Sequence, residues 1–300
     1  AESCVDSLSL DGELGSKNLE VGTQCSSLFE GHRVLLTVSK DNKIGWMQDW
    51  VQFYVREHGA TAVVIYDNAS TLYSVEELHE ALVNVSHELT IAVVSWPFPW
   101  GPPGIGADWW DSQFCQLGAL EHARRRFLSR ARSVVFCDVD ELMIFSDGGS
   151  VFKKVETSKT GKILLSGCWI ENISAPPSQE QNKRDRRHAD FHYRTKPELA
   201  VCPNKWAIRP LSCPDDAQWR VHNVTRMEQD HLSAAGGMFR HFRPITTNWR
   251  RWMRDGAIPF DPARHECDTT LVAALDRTGL SEPIRAQPPS LFDIGEGLGK

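Results

Sequence analysis

Short apolar runs alternate with amphipathic segments through the first half of the chain. Runs with the length and branched side chains of buried strands lie at 33–39, 62–66, 90–95 and 132–137. Apolar residues recur at helical spacing over 44–55, 75–83 and 111–130. Strands that alternate with helices predict an α/β fold with a mostly parallel central sheet and flanking helices.

The second half of the chain has a weaker pattern. A long apolar strand is clear over 162–170. Shorter strands are predicted over 205–209, 220–224 and 238–242, and helices over 247–254 and 268–278. The polar segment 178–196 contains a basic cluster at 183–188, which is typical of a solvated loop, with a mobile lid as the alternative.

The pattern divides the chain into four parts. We predict a loose N-terminal arm (1–31), a first half of the domain (32–145), a second, less regular half of the same domain (146–280) and a C-terminal tail (281–300). The long segment 96–110, with its prolines, glycines and tryptophans, is predicted to be a functional loop.

Composition narrows the classes of partner. Hydrophobic residues make up 41% and charged residues 24%, as in ordinary globular proteins, and the net charge of −6 argues against a broad nucleic-acid surface. No apolar run approaches the roughly 20 residues that span a bilayer. The eight cysteines form no CxxC unit, although Cys202 and Cys213 could pair.

The same features lead to an expectation about the compartment. We expect a cytoplasmic protein, with peripheral association at the inner face of a membrane left open. The alternative is the secretory lumen after removal of an N-terminal anchor, because sequons occur at Asn68, Asn84, Asn172 and Asn223.

Acidic residues follow the fourth predicted strand at once. Asp138 and Asp140 are spaced i, i+2, so they share one side if the chain stays extended, and Glu141 comes next. Such a pair is either a solvated turn or a site for Mg²⁺ or Mn²⁺, which prefer oxygen ligands. Asp67 and Asn68 also follow a strand, and strand ends of parallel sheets share one edge.

Several of these segments resemble one family. Residues 66–70 (YDNAS), 138–141 (DVDE), 205–210 (KWAIRP) and 241–243 (HFR) resemble motifs of glycosyltransferase family 92 and its bacterial family-2-like relatives. The resemblance covers roughly residues 33–255 and departs from the family pattern at 40–42 and 169–172.

The resemblance implies a GT-A fold and a metal-dependent, inverting transferase. The donor would be a UDP-sugar, with UDP-galactose the first guess, and the acceptor a carbohydrate or glycoconjugate. Asp138, Asp140 and His241 would bind Mn²⁺ or Mg²⁺. Asp138 and the further residues Asp67, Asn68, Gln116, Arg126 and Lys205 would contact the donor. Inversion requires a general base, and Glu171 is favoured because it ends a predicted strand; the other candidates are Asp190, Asp215, Asp216, Glu228 and Asp230.

Two other functions remain open at this stage. A haloacid-dehalogenase-type phosphatase also carries an apolar strand that ends in Asp-x-Asp, but its motif normally continues with small residues rather than Glu141-Leu142. A non-catalytic GT-A-like domain that binds glycans through the aromatic loop is the other alternative.

Overall fold

A computed structural model describes residues 7–13, 15–20, 22, 24–101, 113–173, 186–200, 202–231, 237–247 and 256–281. Most of the predicted aromatic loop, the beginning of the helix predicted at 111, most of the helix predicted over 247–254 and nearly all of the tail lie outside these residues.

The described residues form fifteen strands and five α-helices. The strands are β1 (Ser7–Gly12), β2 (Gly15–Glu20), β3 (Arg33–Ser39), β4 (Ala62–Asp67), β5 (Thr90–Ser95), β6 (Ser133–Phe136), β7 (Glu141–Ile144), β8 (Lys162–Glu171), β9 (Tyr193–Thr195), β10 (Cys202–Ile208), β11 (Gln218–Trp219), β12 (Val224–Thr225), β13 (Asp230–His231), β14 (Met238–Phe242) and β15 (His265–Cys267). The α-helices are α1 (Ile44–Phe53), α2 (Val75–Val83), α3 (Phe114–His122), α4 (Val151–Thr157) and α5 (Thr269–Thr278). Single π-helical turns, Tyr54–His58 and Ala123–Phe127, continue α1 and α3.

One large sheet organises the chain, in the order β15-β9-β8-β10-β6-β3-β4-β5. β6, β3, β4 and β5 are parallel, whereas β10 is antiparallel to both of its neighbours. The predicted α/β fold with a parallel core is therefore confirmed. Ser39 pairs with Asp67, and Asp67 with Ser95, so these strands end together at one edge.

Helices cover both faces of the parallel strands. Residues of β3 alternate between the two cores: Leu35 packs in the cluster that contains Trp50 of α1, and Val34 and Leu36 pack in the cluster that contains Leu120 of α3. All six residues of β4 are buried, as expected for a central parallel strand.

Local sequence signals account for the helix ends in this half. Gly59 ends the first helical segment with φ 71°, a left-handed conformation that glycine adopts without strain. Ser74 caps α2 in a reciprocal capping box with Glu77.

The structure differs from the sequence-based prediction in several places. β7, α4 and β15 were not predicted, because each is too short to show a clear period. The strand predicted over 220–224 is instead mostly the turn of the β11–β12 hairpin. The predicted loose arm contains the exposed β1–β2 hairpin, and Phe29 at its end is buried against Phe127.

Two further observations concern the cysteines and membrane-spanning helices. Cys202 and Cys213 are free thiols, so the suggested pairing is not present. Among the described residues, the structure contains no helix with the length and apolar character needed to span a bilayer.

Candidate functional site

The acidic segment 138–141 forms a tight turn between β6 and β7. The Glu141 N–H donates to the Asp138 carbonyl at 3.0 Å, and the Asp138 N–H donates to Glu141 Oε2 at 2.8 Å. β6 is parallel to β3, so the turn lies at the edge of the sheet where the parallel strands end. The carboxylates therefore lie where α/β sheets bind ligands.

Tyr54 supports this turn through hydrogen bonds to its main chain. Its buried hydroxyl donates to the Glu141 carbonyl and accepts from the Met143 N–H, both at 3.1 Å, and the Cys137 thiol lies 3.2 Å away. Burial is the main reason that the pKa values of Tyr54 and Cys137 are raised, so both groups stay neutral. The turn is thus supported by uncharged, buried side chains.

Lys205 of β10 neutralises part of the acidic cluster. Its Nζ lies 2.7 Å from Asp138 Oδ2 and 3.0 Å from Glu141 Oε2. The Lys205 and Glu141 side chains are each only 1% exposed. Burial disfavours the ammonium, yet Asp138 and Glu141 outweigh burial and raise the pKa of Lys205. Burial raises the pKa of Glu141 to about 7, against the opposing effect of Lys205.

His241 reaches the cluster from β14, which lies between β7 and β8. Its strand partners are Glu141 on one side and Trp169 on the other. His241 Nε2 lies 3.1 Å from Asp140 Oδ2, and Nδ1 lies 3.6 Å from Glu141 Oε1. The Trp169 ring stacks on the imidazole at 4.3 Å, which keeps the ring plane fixed.

Three of these side chains could hold one cation. Single ligand atoms of Asp140, Glu141 and His241 all lie within 4.8 Å of one another. Of the predicted ligands, Asp140 and His241 meet in this way, whereas Asp138 pairs with Lys205. Glu141 was not predicted as a ligand; it belongs to β7, and a third acid after the pair was its only sequence signal.

Asp67 and Asn68 lie at the end of β4, on the edge that carries the acidic turn. Asp67 Oδ2 accepts from the Ser70 N–H at 3.1 Å, whereas its buried Oδ1 has no hydrogen-bond partner within the part of the chain that the structure describes. The Asn68 amide donates to the Trp96 and Phe98 carbonyls at 2.8 Å each. Asp67 is therefore available to a ligand, and Asn68 shapes the beginning of the aromatic segment.

Two other residues predicted to contact the sugar donor, Gln116 and Arg126, lie on the helical segment that follows the aromatic segment. Gln116 is buried on α3. Arg126 is half-buried in the following π-helical turn, where its guanidinium contacts Gly22 and lies 5.9 Å from the Phe127 ring centre. Burial, and then the charge of Arg126, lower the pKa of His122. These contacts direct Arg126 towards the N-terminal segment.

Glu171 ends β8 and is buried. Its Oε1 accepts from Thr195 Oγ1 at 2.7 Å and from Arg243 Nε at 3.1 Å. The Arg243 guanidinium in turn lies 4.0 Å from the centre of the Trp169 ring. The candidate base is thus an ion-paired carboxylate, linked to His241 through an arginine and a stacked indole.

Comparisons with known proteins find likenesses only among solved structures. No family model and no curated protein matches the chain. Staphylococcus aureus TarS 1-349 is 12% identical, with a TM-score of 0.38, over 71% of this chain and 61% of that structure. The same protein in complex with UDP is 13% identical, with a TM-score of 0.38, over 70% and 60%.

The mannosyltransferase Ktr4p of S. cerevisiae is 10% identical, with a TM-score of 0.32, over 52% of this chain and 44% of that structure. The chain spans less than two thirds of the length of each of these structures. Likenesses at these identities and scores assign no activity to this chain, so the side chains themselves must carry the functional argument.

Proposed function

We propose that this chain is a metal-dependent glycosyltransferase. It would move a sugar, with galactose the first candidate, from a UDP-sugar to a hydroxyl of a glycan or glycoconjugate, with inversion. One observation carries the proposal: Asp138, Asp140 and Glu141 meet Lys205 and His241 at the edge where the parallel strands end.

The charge balance of this cluster favours a divalent cation. The cluster contains three carboxylates and one lysine, and burial raises the pKa of Glu141 more than Lys205 lowers it. Asp140, Glu141 and His241 would hold the cation, since carboxylate oxygens suit Mn²⁺ and Mg²⁺ and imidazole is a common additional ligand. When bound, the cation would offset the negative charge that develops on a leaving diphosphate.

The chain's own residues would then orient the donor and the acceptor. The unpartnered Asp67 Oδ1 is a hydrogen-bond acceptor for an N–H or hydroxyl of the nucleoside. Lys205, fixed by two carboxylates, would place a positive charge beside the diphosphate. Glu171 remains the candidate base, and it would have to exchange its bond to Arg243 for the acceptor hydroxyl.

A UDP-release assay tests the proposal. Wild-type protein is incubated with a panel of UDP-sugars and candidate acceptors, with and without Mn²⁺, beside Asp140→Ala, Glu171→Gln and the control Asp147→Ala. Asp147 is an exposed acid whose Oδ2 pairs with Lys154 at 2.7 Å. We expect Mn²⁺-dependent release that Asp140→Ala reduces by at least about 100-fold and Asp147→Ala leaves unchanged.

The other outcomes separate the alternatives. Loss of transfer with intact UDP binding in Glu171→Gln supports that residue as the base, and full turnover removes it from consideration. Phosphate release from an aryl phosphate would favour a phosphatase. Binding of UDP or glycan without release under any condition would favour a non-catalytic domain and contradict the proposed transfer.

A further inference from the structure

Residues 186–191, here called the strap, cross the helix that precedes β4. The sequence pattern predicted a solvated loop or a mobile lid here, but Arg186 and Arg187 are half-buried and His188 is fully buried. The Trp46 indole N–H donates to the Arg186 carbonyl at 2.8 Å. The Arg187 guanidinium pairs with Asp49, with Nε 2.7 Å from Oδ2. The strap is therefore docked on α1 through a half-buried ion pair.

His188 connects the strap to the acidic turn. Its Nε2 lies 3.0 Å from the carbonyl oxygen of Val139, the residue between the two aspartates, and its Nδ1 lies 3.5 Å from Asp49 Oδ2. A carbonyl only accepts, so Nε2 is the donor. Burial opposes the charge of Asp49, but His188 and Arg187 outweigh it and lower the pKa of that carboxyl, although Nδ1 makes no hydrogen bond to it or to any other described residue.

Every carbonyl of the acidic turn is then accounted for. The Asp138 carbonyl accepts from the Glu141 N–H at 3.0 Å, and the Asp140 carbonyl accepts from the Phe242 N–H at 2.8 Å. The Glu141 carbonyl accepts from Tyr54, and the Val139 carbonyl from His188. Within the described part of the chain, the peptide between the aspartates is thus held by a side chain that comes from the strap.

Loss of that bond would affect the two aspartates directly. The Val139 side chain is 3% exposed, so its carbonyl would have little access to water as a substitute partner. Rotation of the Val139 peptide would turn the carboxylates of Asp138 and Asp140, which flank it. The His188 ring also packs edge-on against Phe242 at 5.0 Å, and Phe242 holds the next carbonyl.

We propose that His188, whose ring lies beside Asp49, is a positioning residue that fixes the Val139 peptide and thereby the direction of the Asp138 and Asp140 carboxylates. The consequence for a bound cation rests on the proposed function. The consequence for the backbone does not, because it concerns the metal-free chain.

The test compares four variants of the full chain with the wild type. His188→Leu removes the donor, His188→Gln places an amide N–H near the position of Nε2, and Asp49→Asn removes the carboxylate charge that lies beside the ring. His265→Leu is the control, since His265 is also buried and bonded to the main chain, through the Asp261 N–H at 3.1 Å, but lies on the edge strand β15. Mn²⁺ affinity is measured by calorimetric titration, and amide hydrogen exchange of residues 138–141 is measured without metal.

We expect His188→Leu to weaken Mn²⁺ binding about 10- to 100-fold, the range for residues that orient metal ligands. Exchange of the 138–141 amides should rise by about tenfold or more. His188→Gln should recover most of both losses, and Asp49→Asn should give a smaller loss. His265→Leu should lower the melting temperature and change neither readout.

Several results would overturn the proposal. One is that His188→Leu keeps the Mn²⁺ affinity of the wild type and its rate of amide hydrogen exchange at residues 138–141. Another is an equal loss in the Leu and Gln variants that merely follows the melting temperature. If His188→Leu does not fold, His188→Gln and Asp49→Asn decide by the same readouts. A wild-type chain without Mn²⁺ affinity contradicts the proposed function, and the exchange of residues 138–141 then decides the positioning role alone.

Discussion

The parallel half of the sheet and the antiparallel half bury their polar groups in different ways. Around β3, β4 and β6, Tyr54, His58 and Cys137 form a group of buried neutral side chains that bond to one another or to main-chain atoms. Around β8, β10 and β14 the buried polar side chains include ions in pairs, such as Lys205 with Glu141 and Arg240 with Asp268.

This difference explains why the sequence pattern predicts the secondary structure of the first half better than that of the second. Apolar runs and neutral polar residues give a clear period, so the first half can be predicted from local pattern. Charged residues in a sequence indicate a solvated surface, and a buried ion pair cannot be distinguished from one until both partners are placed. The strap is the plainest case, since His188 is fully buried and Arg186 and Arg187 are half-buried rather than solvated.

The largest expected effect comes from breaking the ion pair that joins the two halves. Lys205→Met would leave Asp138 and Glu141 without their ammonium partner, and we expect a loss of about 3–5 kcal/mol in the free energy of unfolding. Urea denaturation at neutral pH measures it. Adding Glu141→Gln should recover part of the loss, because the uncompensated buried charge is removed.

Lys162→Met is the matched control for this variant. Lys162 is equally buried, but its Nζ donates to the neutral acceptors Asn223 Oδ1, Val224 O and Met227 O. Glu141→Gln should give no recovery in that background. A loss below about 1 kcal/mol in Lys205→Met, or equal recovery in both backgrounds, would show that the pair does not join the halves as argued.

A smaller effect, the pH dependence of stability, tests the half of the sheet that buries the neutral His58. Burial lowers the pKa of His58 to about 4, whereas an unfolded histidine titrates near 6.5. Between these values the unfolded chain binds the proton and the folded chain does not. Stability is therefore complete above about pH 6.5 and falls as the pH drops towards about 4, by up to about 3 kcal/mol.

Denaturant unfolding at several pH values between 4.5 and 7.5 measures this slope. His58→Gln keeps a donor for the Met143 carbonyl, 2.8 Å from His58 Nε2 in the wild type, but does not titrate. It should flatten the slope even if it lowers stability at every pH. The same slope in wild type and variant would assign the pH dependence to other groups.

The smallest effect separates charge from burial. Arg226 and Asp216 form a 3.0 Å ion pair in the second half, but their side chains are 60% and 61% exposed. We expect Arg226→Ala to change the free energy of unfolding by less than about 1 kcal/mol, and less still in high salt. A loss comparable to that of Lys205→Met would mean that charge pairing alone, without burial, distinguishes the second half.

The sequence by itself determined the parallel core, its helix ends at Gly59 and Ser74, and the edge that carries Asp67, Asp138 and Asp140. These follow from local hydrophobic period, capping chemistry and the rule that parallel strands end together. The division into domain parts and the roles of Gln116, Arg126 and Glu171 stay predictions.

Only the tertiary structure decided how Lys205, His241 and His188 contact the acidic turn. Lys205 lies 67 residues from Asp138, His241 lies 101 residues from Asp140, and His188 lies 49 residues from Val139. The register of β10 and β14 and the docking of the strap bring them together. Those pairings depend on long-range packing of the whole sheet, which leaves no periodic trace in any one segment of the chain.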